Sequence, residues 1–560
     1  MSRPDPFSAF PTPARVNVGS YLVRMANVAP EREAVVAPDG RGGWRRIDYA
    51  GLARRAGSIA GGLARRGVVA GDRACLFVRP GVDLVAITFA LCSLGAVPIL
   101  ADPGMGRERL LACMRRMRPR VFVGMPLAHA ARKLFPASFA SVELAVTVGR
   151  RLFWGGPTLD DLTRAEHPLE CRDTAADDVA AIFFTSGSTG PPKGVVYTHG
   201  MLDAQVEALR ALYAFEPGEI DLACFPLFAL FDAALEMTSV FPEMDVSRPG
   251  TCDPAKIVAA IRGQRVSTTF GSPAIWRRVV PHCLERGLCL DSLRRVLIAG
   301  APVPPRLVED FRRVLPEGAD VFTPYGATEA LPVTSISGSE ILGEALAYLK
   351  NGAGTCVGRA APGIDLRLIE VTDDALERWD EGLEVPLGRP GEICVRGPVV
   401  TREYADEPQP TARAKVPAVD GGRGVWHRTG DVGRLDDEGR LWFYGRKSHR
   451  LETRKGLRMP VPTENVFNLH PRVHRTALVG IGEPGDQEPL LVVEPEPSHM
   501  PRSPEATRAF IRELLEVGRG AHASADVQSF LFHPRFPVDA RHNAKIDREA
   551  LAQWAREQLA

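Results

Sequence analysis

Residues 183–194 read Phe-Phe-Thr-Ser-Gly-Ser-Thr-Gly-Pro-Pro-Lys-Gly, a hydroxyl- and glycine-rich run that closes on a lysine. Such a loop holds phosphates. The hydroxyls of Thr185, Ser186, Ser188 and Thr189 can donate to phosphate oxygens, Gly187 and Gly190 let backbone N–H groups approach closely, and Lys193 adds positive charge. A polar turn between two strands has a similar composition, but the Pro-Pro-Lys-Gly ending argues against it. A Walker-type loop is excluded by its order. There Gly-Lys-Ser/Thr runs on into a helix, whereas Lys193-Gly194 is followed by Val195, Val196 and Tyr197.

The loop resembles the signature loop of the adenylate-forming superfamily, which comprises acyl-CoA synthetases, luciferases and nonribosomal-peptide adenylation domains. Further segments carry the resemblance in the superfamily's order. Ala299-Gly300-Ala301-Pro302 is similar to the turn that lies against adenine, and Tyr325-Gly326-Ala327-Thr328-Glu329 to the adenine-and-magnesium motif. In that motif an aromatic ring stacks on the base and a carboxylate takes the hard cation. Arg428-Thr429-Gly430-Asp431 resembles the segment whose Asp accepts hydrogen bonds from the ribose hydroxyls, and Gly445-Arg446 marks the domain junction. Asn543-Ala544-Lys545-Ile546-Asp547-Arg548 resembles the motif that delivers a catalytic lysine, with Ala544 in place of the usual Gly. The resemblance implies ATP and Mg²⁺ as cofactors, with Thr185, Glu329 and Lys545 catalytic. It further implies phosphate binding by Thr185 to Lys193, contacts to the nucleoside from Gly300, Ala301, Pro302, Tyr325, Gly326 and Thr328, and ribose binding by Asp431 and Arg446.

Lysine usage supports two of these assignments independently. The chain has 69 basic residues, and its lysines are Lys133, Lys193, Lys256, Lys350, Lys415, Lys447, Lys455 and Lys545 alone. Arginine therefore serves wherever a generic cation suffices. Lys193 and Lys545 stand where a compact ammonium fits better between a carboxylate and a phosphate than a planar guanidinium does.

Closing the reaction needs an acceptor for the activated acyl group. Phe225-Pro226-Leu227-Phe228-Ala229 occupies the place where acyl-CoA synthetases typically read Pro-Leu-Phe-His, with Ala229 in place of the histidine. Together with Pro242-Glu243-Met244-Asp245, Gly271-Ser272-Pro273-Ala274, Arg150-Arg151-Leu152 and His542-Asn543-Ala544-Lys545, this segment closely resembles the β-lactone synthetases of bacterial long-chain olefin biosynthesis. That resemblance spans nearly the whole chain. It implies adenylation of a long-chain 2-alkyl-3-hydroxyalkanoic acid, followed by attack of the substrate's own 3-hydroxyl with loss of AMP. Assembly with other pathway enzymes, such as a β-lactone decarboxylase, is expected on the same ground. An apolar pocket for two alkyl arms is expected from Phe225, Phe228, Phe231, Gly271 and Trp276, with His199 and Asp232 as candidate bases, although a single His or Asp more often satisfies a loop. The superfamily's hinge usually carries an acidic pair after Gly-Arg-x; here Ser448-His449 stands there, a departure that weighs against a thiol path. A long-chain fatty acyl-CoA ligase remains the alternative enzyme. A catalytically silent nucleotide- and acyl-binding scaffold is the alternative of another class, and retention of Thr185, Glu329, Asp431 and Lys545 argues against it.

Composition bounds the rest. The chain has 560 residues, 45% apolar and 24% charged, which predicts several domains around ordinary globular cores. A net charge of +1 and the absence of a basic run argue against nucleic acid as a partner. The lead-in, with Pro4, Pro6, Pro11 and Pro13, lacks an apolar signal core and is expected to be loosely packed, which predicts a cytoplasmic protein. The apolar run Leu84 to Leu100 is too short to span a bilayer and predicts a buried helix passing into a strand. Ten cysteines without Cys-x-x-Cys pairs predict reduced core thiols.

These motifs need a scaffold. Amphipathic helical and apolar strand patterns alternate from Leu52 to Pro103 and again from Met201 to Ile298, predicting two α/β subdomains with parallel sheets. Period-two patterning from Gly354 to Gly397 predicts a β-rich subdomain. The expected division is an N-terminal adenylation domain over residues 1–446 and a small mobile α+β domain over residues 447–560 that carries Lys545.

Overall fold

The computed structural model describes residues 5–11, 13–101, 103–184, 192–418, 424–538 and 546–559. It is a mixed α/β fold with a small C-terminal α+β unit. The segment Leu84 to Leu100 divides as its composition demands. Helix Val82–Ser93 is apolar on nearly every side and therefore lies wholly inside, and strand Val97–Ala101 follows it. Gly95 makes the turn between them at φ +70°, a backbone conformation that glycine adopts without steric cost.

Among the described residues six strands form the first sheet, in the order Leu144–Thr147, Val121–Gly124, Arg73–Phe77, Val97–Ala101, Val179–Phe184 and Gly194–Thr198. Neighbours are parallel except the last two, which pair antiparallel. Two adjacent antiparallel strands thus flank the hydroxyl-rich run, whose residues Thr185, Ser186, Gly187, Ser188, Thr189 and Gly190 lie outside the described residues.

The second sheet has 14 strands among the described residues. Its parallel part places Ile220–Ala223, Thr268–Gly271, Arg295–Ile298 and Asp320–Ala327 side by side. The hairpin Asp320–Ala327 to Ala330–Ser337 then turns the sheet antiparallel, and it continues through Thr355–Ala360, Arg440–Arg446, Val425–Leu435, Gly391–Arg396 and Asp365–Ile369. The β-rich stretch is therefore hydrogen-bonded into the second α/β layer. That continuity brings Tyr325 and Asp431 onto one surface.

Beyond Arg446 lie the ribbon Leu451–Thr453 with Gly456–Arg458, the sheet Val473–Ile481, Glu488–Pro495 and Ser529–Phe532, and helices Pro504–Arg519 and Arg548–Leu559. This unit has its own core around Phe467, Leu491, Phe510 and Leu514. All ten cysteines are free thiols, most of them buried. No helix among the described residues is long and apolar enough to cross a membrane.

The lead-in is packed where a loose segment was expected. Pro6 is buried, the Phe7 ring lies against Gly424, and Phe10 packs beside Ala204, Ala208 and Val399. Two aromatic rings between the prolines supply the apolar area that proline spacing alone does not reveal.

Candidate nucleotide and acyl site

Lys193 and Glu329 come from different sheets and meet at one ring. Lys193 Nζ stands 4.8 Å from the centre of the Tyr404 ring, and the Tyr404 hydroxyl donates to Glu329 Oε1 at 2.7 Å. The strand that follows the phosphate-type loop is tied to the same turn, because the Tyr197 hydroxyl donates to the carbonyl of Thr328. These contacts fix a cation and a carboxylate at the mouth between the two sheets.

The backbone of Glu329 is held equally firmly. Its carbonyl accepts from the Thr401 N–H at 2.9 Å and from the Thr401 hydroxyl at 3.0 Å. Lys415, only 4% exposed, donates from Nζ to Thr401 Oγ1 at 3.1 Å. Burial pushes the Lys415 ammonium down to about 7, against the nearby Glu329 charge, which favours the ion; Lys193 works in the same direction as burial. His427, buried beside it, is held well below its usual range, first by burial and then by Lys415. Sequence reasoning missed Tyr404, Thr401 and Lys415 as a group, and the scarcity of lysine was the one available signal.

In the second sheet, the Tyr325 hydroxyl donates to Asp431 Oδ2 at 2.6 Å, and Arg446 Nε lies 3.0 Å from Asp431 Oδ1. Arg446 also donates to the carbonyl of Thr429 at 3.1 Å. The antiparallel pairing of Asp431 with Arg446 across adjacent strands produces this contact directly. Gly326 is exposed beside the ring. A side chain there would meet the Ala330 carbonyl oxygen at 2.6 Å, so the turn requires glycine. Gly300 and Pro302 are exposed and Ala301 half-buried, at the end of strand Arg295–Ile298, with Gly300 at φ +90°. Arg428 of the same motif faces away and forms a buried pair with Glu392, to which Lys447 also donates. Breaking such a buried pair typically costs about 3–5 kcal/mol, so Arg428 anchors the strand that presents Asp431.

A narrow apolar cavity of about 30 Å³ is lined by Leu209, Tyr213, Phe228, Phe231, Phe270, Pro324 and Pro332 among others. Phe228 stacks on Phe270 with ring centres 4.9 Å apart. Of the residues expected to line a pocket, Phe228 and Phe231 do so, and Phe225 packs behind them against Phe270. The others face elsewhere. Trp276 is fully buried in the core against Phe311, and Gly271 closes over the Trp276 indole. An aromatic residue serves a core and a pocket equally well, and here the helix Pro273–Arg286 turns it inward.

The two candidate bases are likewise built into the scaffold. His199 is buried, its Nδ1 accepts from the Val18 N–H at 3.2 Å, and burial pushes its pKa down to about 4. Asp232 is buried, accepts from the Ser239 hydroxyl, and has its pKa pushed up to about 7 by burial. Neither lines the cavity. Asp221 lies near Asp232 and is also buried; desolvation first, then the Asp232 charge, pushes its pKa well up.

His449 ends the short helix Lys447–His449 that follows strand Arg440–Arg446. Burial, then the Arg548 and Arg446 charges, pushes its pKa down to about 3. Arg548 forms a two-oxygen pair with Glu464 within the C-terminal unit. Lys545 lies outside the described residues.

Among the described residues no group of three or more His, Cys, Asp and Glu side chains could hold a metal ion. Mg²⁺ takes one or two carboxylates plus substrate phosphates, and Glu329 would supply such a carboxylate. The carboxylate, with Tyr404 donating to Oε1, fits that arrangement.

The family of AMP-binding enzymes matches residues 22–405. The chain is 44% identical over 555 residues to the olefin beta-lactone synthetase of Xanthomonas campestris pv. campestris, covering 97% of this chain and 98% of the relative. The olefin beta-lactone synthetase of Stenotrophomonas maltophilia is also 44% identical, with the same coverage. Among solved structures, the anthranilate CoA ligase AuaEII in complex with anthranoyl-AMP superposes with a TM-score of 0.78 at 20% identity, covering 98% of this chain and 99% of that one. Motif order, fold and family match agree, and the chain belongs to the AMP-binding enzymes as an adenylate-forming ligase.

Proposed function

We propose that this ligase is a β-lactone synthetase acting on a long-chain 2-alkyl-3-hydroxyalkanoic acid. The single observation that carries the reading is 44% identity, across nearly the full length of both chains, to an olefin beta-lactone synthetase. The substrate carboxylate attacks the α-phosphate of ATP, and diphosphate leaves. The substrate's 3-hydroxyl oxygen then bonds to the activated carbonyl carbon, the bond from that carbon to the AMP oxygen breaks, and the hydroxyl proton is released. Because nucleophile and electrophile belong to one molecule, effective molarity offsets part of the strain of the four-membered ring.

The residues take the following roles in this reading. Thr185 to Lys193 hold the phosphates, Tyr325 stacks on adenine with Gly300, Ala301, Pro302, Gly326 and Thr328 around it, and Asp431 and Arg446 bind ribose. Glu329 holds Mg²⁺, which neutralises phosphate charge when bound. Lys545, on a mobile domain spanning residues 447–560 that closes on residues 1–446, neutralises charge at the adenylation step. Phe228 and Phe231 receive an alkyl arm, and the 30 Å³ cavity between them widens as the chain enters. Ala229, buried at the start of its helix where the CoA ligases typically carry histidine, and the neutral His449 at the hinge both favour an internal acceptor over a thiol. The enzyme works in the cytoplasm, in contact with the enzyme that consumes its lactone.

Incubation with ATP, Mg²⁺ and the hydroxy acid, with and without CoA, tests the reading. Loss of water from the acid without CoA, with a four-membered lactone identified by NMR, supports it. AMP release that requires CoA and yields a thioester assigns a long-chain acyl-CoA ligase instead.

A further inference from the structure

Helix Pro126–Leu134 carries an apolar stripe that faces solvent. Leu127, Ala130, Ala131 and Leu134 recur at positions i, i+3, i+4 and i+7 and are all exposed, Leu127 at 80% and Leu134 at 73%. The opposite side of the same helix packs normally, with His129 fully buried. Beside the helix a loop presents two more apolar side chains, Leu152 and Phe153, the latter 81% exposed. The helix and the loop are joined where His129 stacks on Trp154 with ring centres 5.1 Å apart. Trp154 donates from Nε1 to Thr147 at 2.9 Å, and Arg151 closes the loop by donating to the Gly156 carbonyl at 2.7 Å. Leu152 and Phe153 are thus fixed at a loop tip whose base is pinned on both sides.

The charge around this patch is one-sided. Between Met125 and Pro157 the basic residues are Arg132, Lys133, Arg150 and Arg151, against a single acid, Glu143. Glu143 is engaged by Arg120. Lys133, Arg150 and Arg151 are exposed. The Arg151 charge also reaches Asp161, while Lys133 and Arg150 remain exposed; large apolar side chains standing in water among exposed cations are the signature of an interfacial surface, in which the apolar groups enter the acyl boundary and the cations meet anionic headgroups.

We propose that this face, at the edge of the first sheet, docks the enzyme on an anionic lipid surface. The contact is peripheral and reversible: one short helix and one loop tip insert, and no segment spans. It is independent of the site at Tyr325 and Glu329, and it stands or falls separately from the β-lactone reading.

Flotation of the full-length protein with phosphatidylcholine vesicles, and with vesicles containing about 30% phosphatidylglycerol, tests it. The protein is expected to float with the anionic vesicles and not with the neutral ones, and 0.5 M salt should release it. Two variants dissect the surface: L127S with F153S, and K133E with R150E. Each is expected to lower partitioning about tenfold. ATP-dependent AMP release from a short water-soluble acid, and thermal midpoint, should stay unchanged because the substituted side chains are exposed. Equal binding to neutral vesicles, no binding to either, or variants that float like the parent would overturn the proposal. A concentration-dependent dimer abolished by the same substitutions, without vesicle binding, would assign the face to a second copy of the chain and equally overturn it.

Discussion

Tyr325 and Asp431 are joined by a 2.6 Å hydrogen bond from the phenol hydroxyl to the carboxylate, although 106 residues separate them in sequence. The hydroxyl orients the carboxylate, while the half-buried ring lies obliquely beside Phe443, with ring centres 5.9 Å apart. The two parts of the side chain therefore have separable jobs. Tyr325→Phe is expected to weaken ATP binding by no more than about threefold, and Tyr325→Ala by at least about tenfold, since stacking on a base is worth roughly 1–3 kcal/mol. Isothermal titration with a non-hydrolysable ATP analogue checks this. Equal losses for the two variants would place the hydroxyl, and not the ring, in charge of affinity.

Lys415 predicts an opposition between stability and activity. Its folded pKa is pushed from 10.5 down to about 7 by burial, so its stabilising contribution is full above pH 10.5 and is lost as pH falls through the folded value. At pH 7 most of that loss has been incurred. Lys415→Met should therefore raise the thermal midpoint at pH 7 by about a few degrees, with the advantage shrinking toward pH 9.5. Adenylation should slow by about tenfold, because a positive charge beside Lys193 and Glu329 is removed where phosphate charge arrives. A variant that melts below the parent at pH 7 would contradict the assignment.

Asp232 titrates in the opposite sense. Burial raises its folded pKa from 3.8 to about 7, so its contribution is full below pH 4 and lost as pH rises through 7. Asp232→Asn keeps an acceptor for Ser239 and removes the ionisation. Scanning calorimetry at pH 5 and pH 8 should show the variant close to the parent at pH 5 and more stable at pH 8. A gap that does not grow with pH would mean that the Asp221 and Asp232 carboxyls find solvent. Lactonisation with the variant should proceed within about threefold of the parent, because Asp232 lies off the cavity; a larger fall would restore it as a base.

Lys545→Ala is expected to suppress acyl-adenylate formation by at least about a hundredfold, within the range of removing a charge-stabilising group, while ATP binding is largely retained. Diphosphate exchange and analogue titration measure the two separately. Unchanged exchange would remove the lysine from the adenylation step.

The parts of the site that were legible in sequence are those written as short contiguous motifs. Tyr325, Glu329, Asp431 and Arg446 stand at strand ends and turns, where the motif residues are neighbours in the chain. Lys415, Thr401 and Tyr404 were not legible as a set. Their meeting depends on a strand Lys415–Pro417 pairing beside Val425–Leu435, and no local pattern states that pairing. Trp276 shows the converse error: an aromatic side chain in an apolar run has the same composition whether it faces a pocket or a core, and the direction of one helix decided it. The buried helix Val82–Ser93 was legible because an all-apolar helix has one stable location.

The central claim is that the 3-hydroxyl oxygen closes the ring on an adenylated carboxylate. Turnover of two hydroxy acids with ATP and Mg²⁺, one carrying oxygen-18 in the 3-hydroxyl and one in the carboxylate, tests it most directly by mass spectrometry of lactone and AMP. The account predicts that the hydroxyl label stays entirely in the lactone, and that the carboxylate-labelled acid delivers one labelled oxygen to AMP. Loss of the hydroxyl label from the lactone, or AMP without label from the carboxylate, would contradict it.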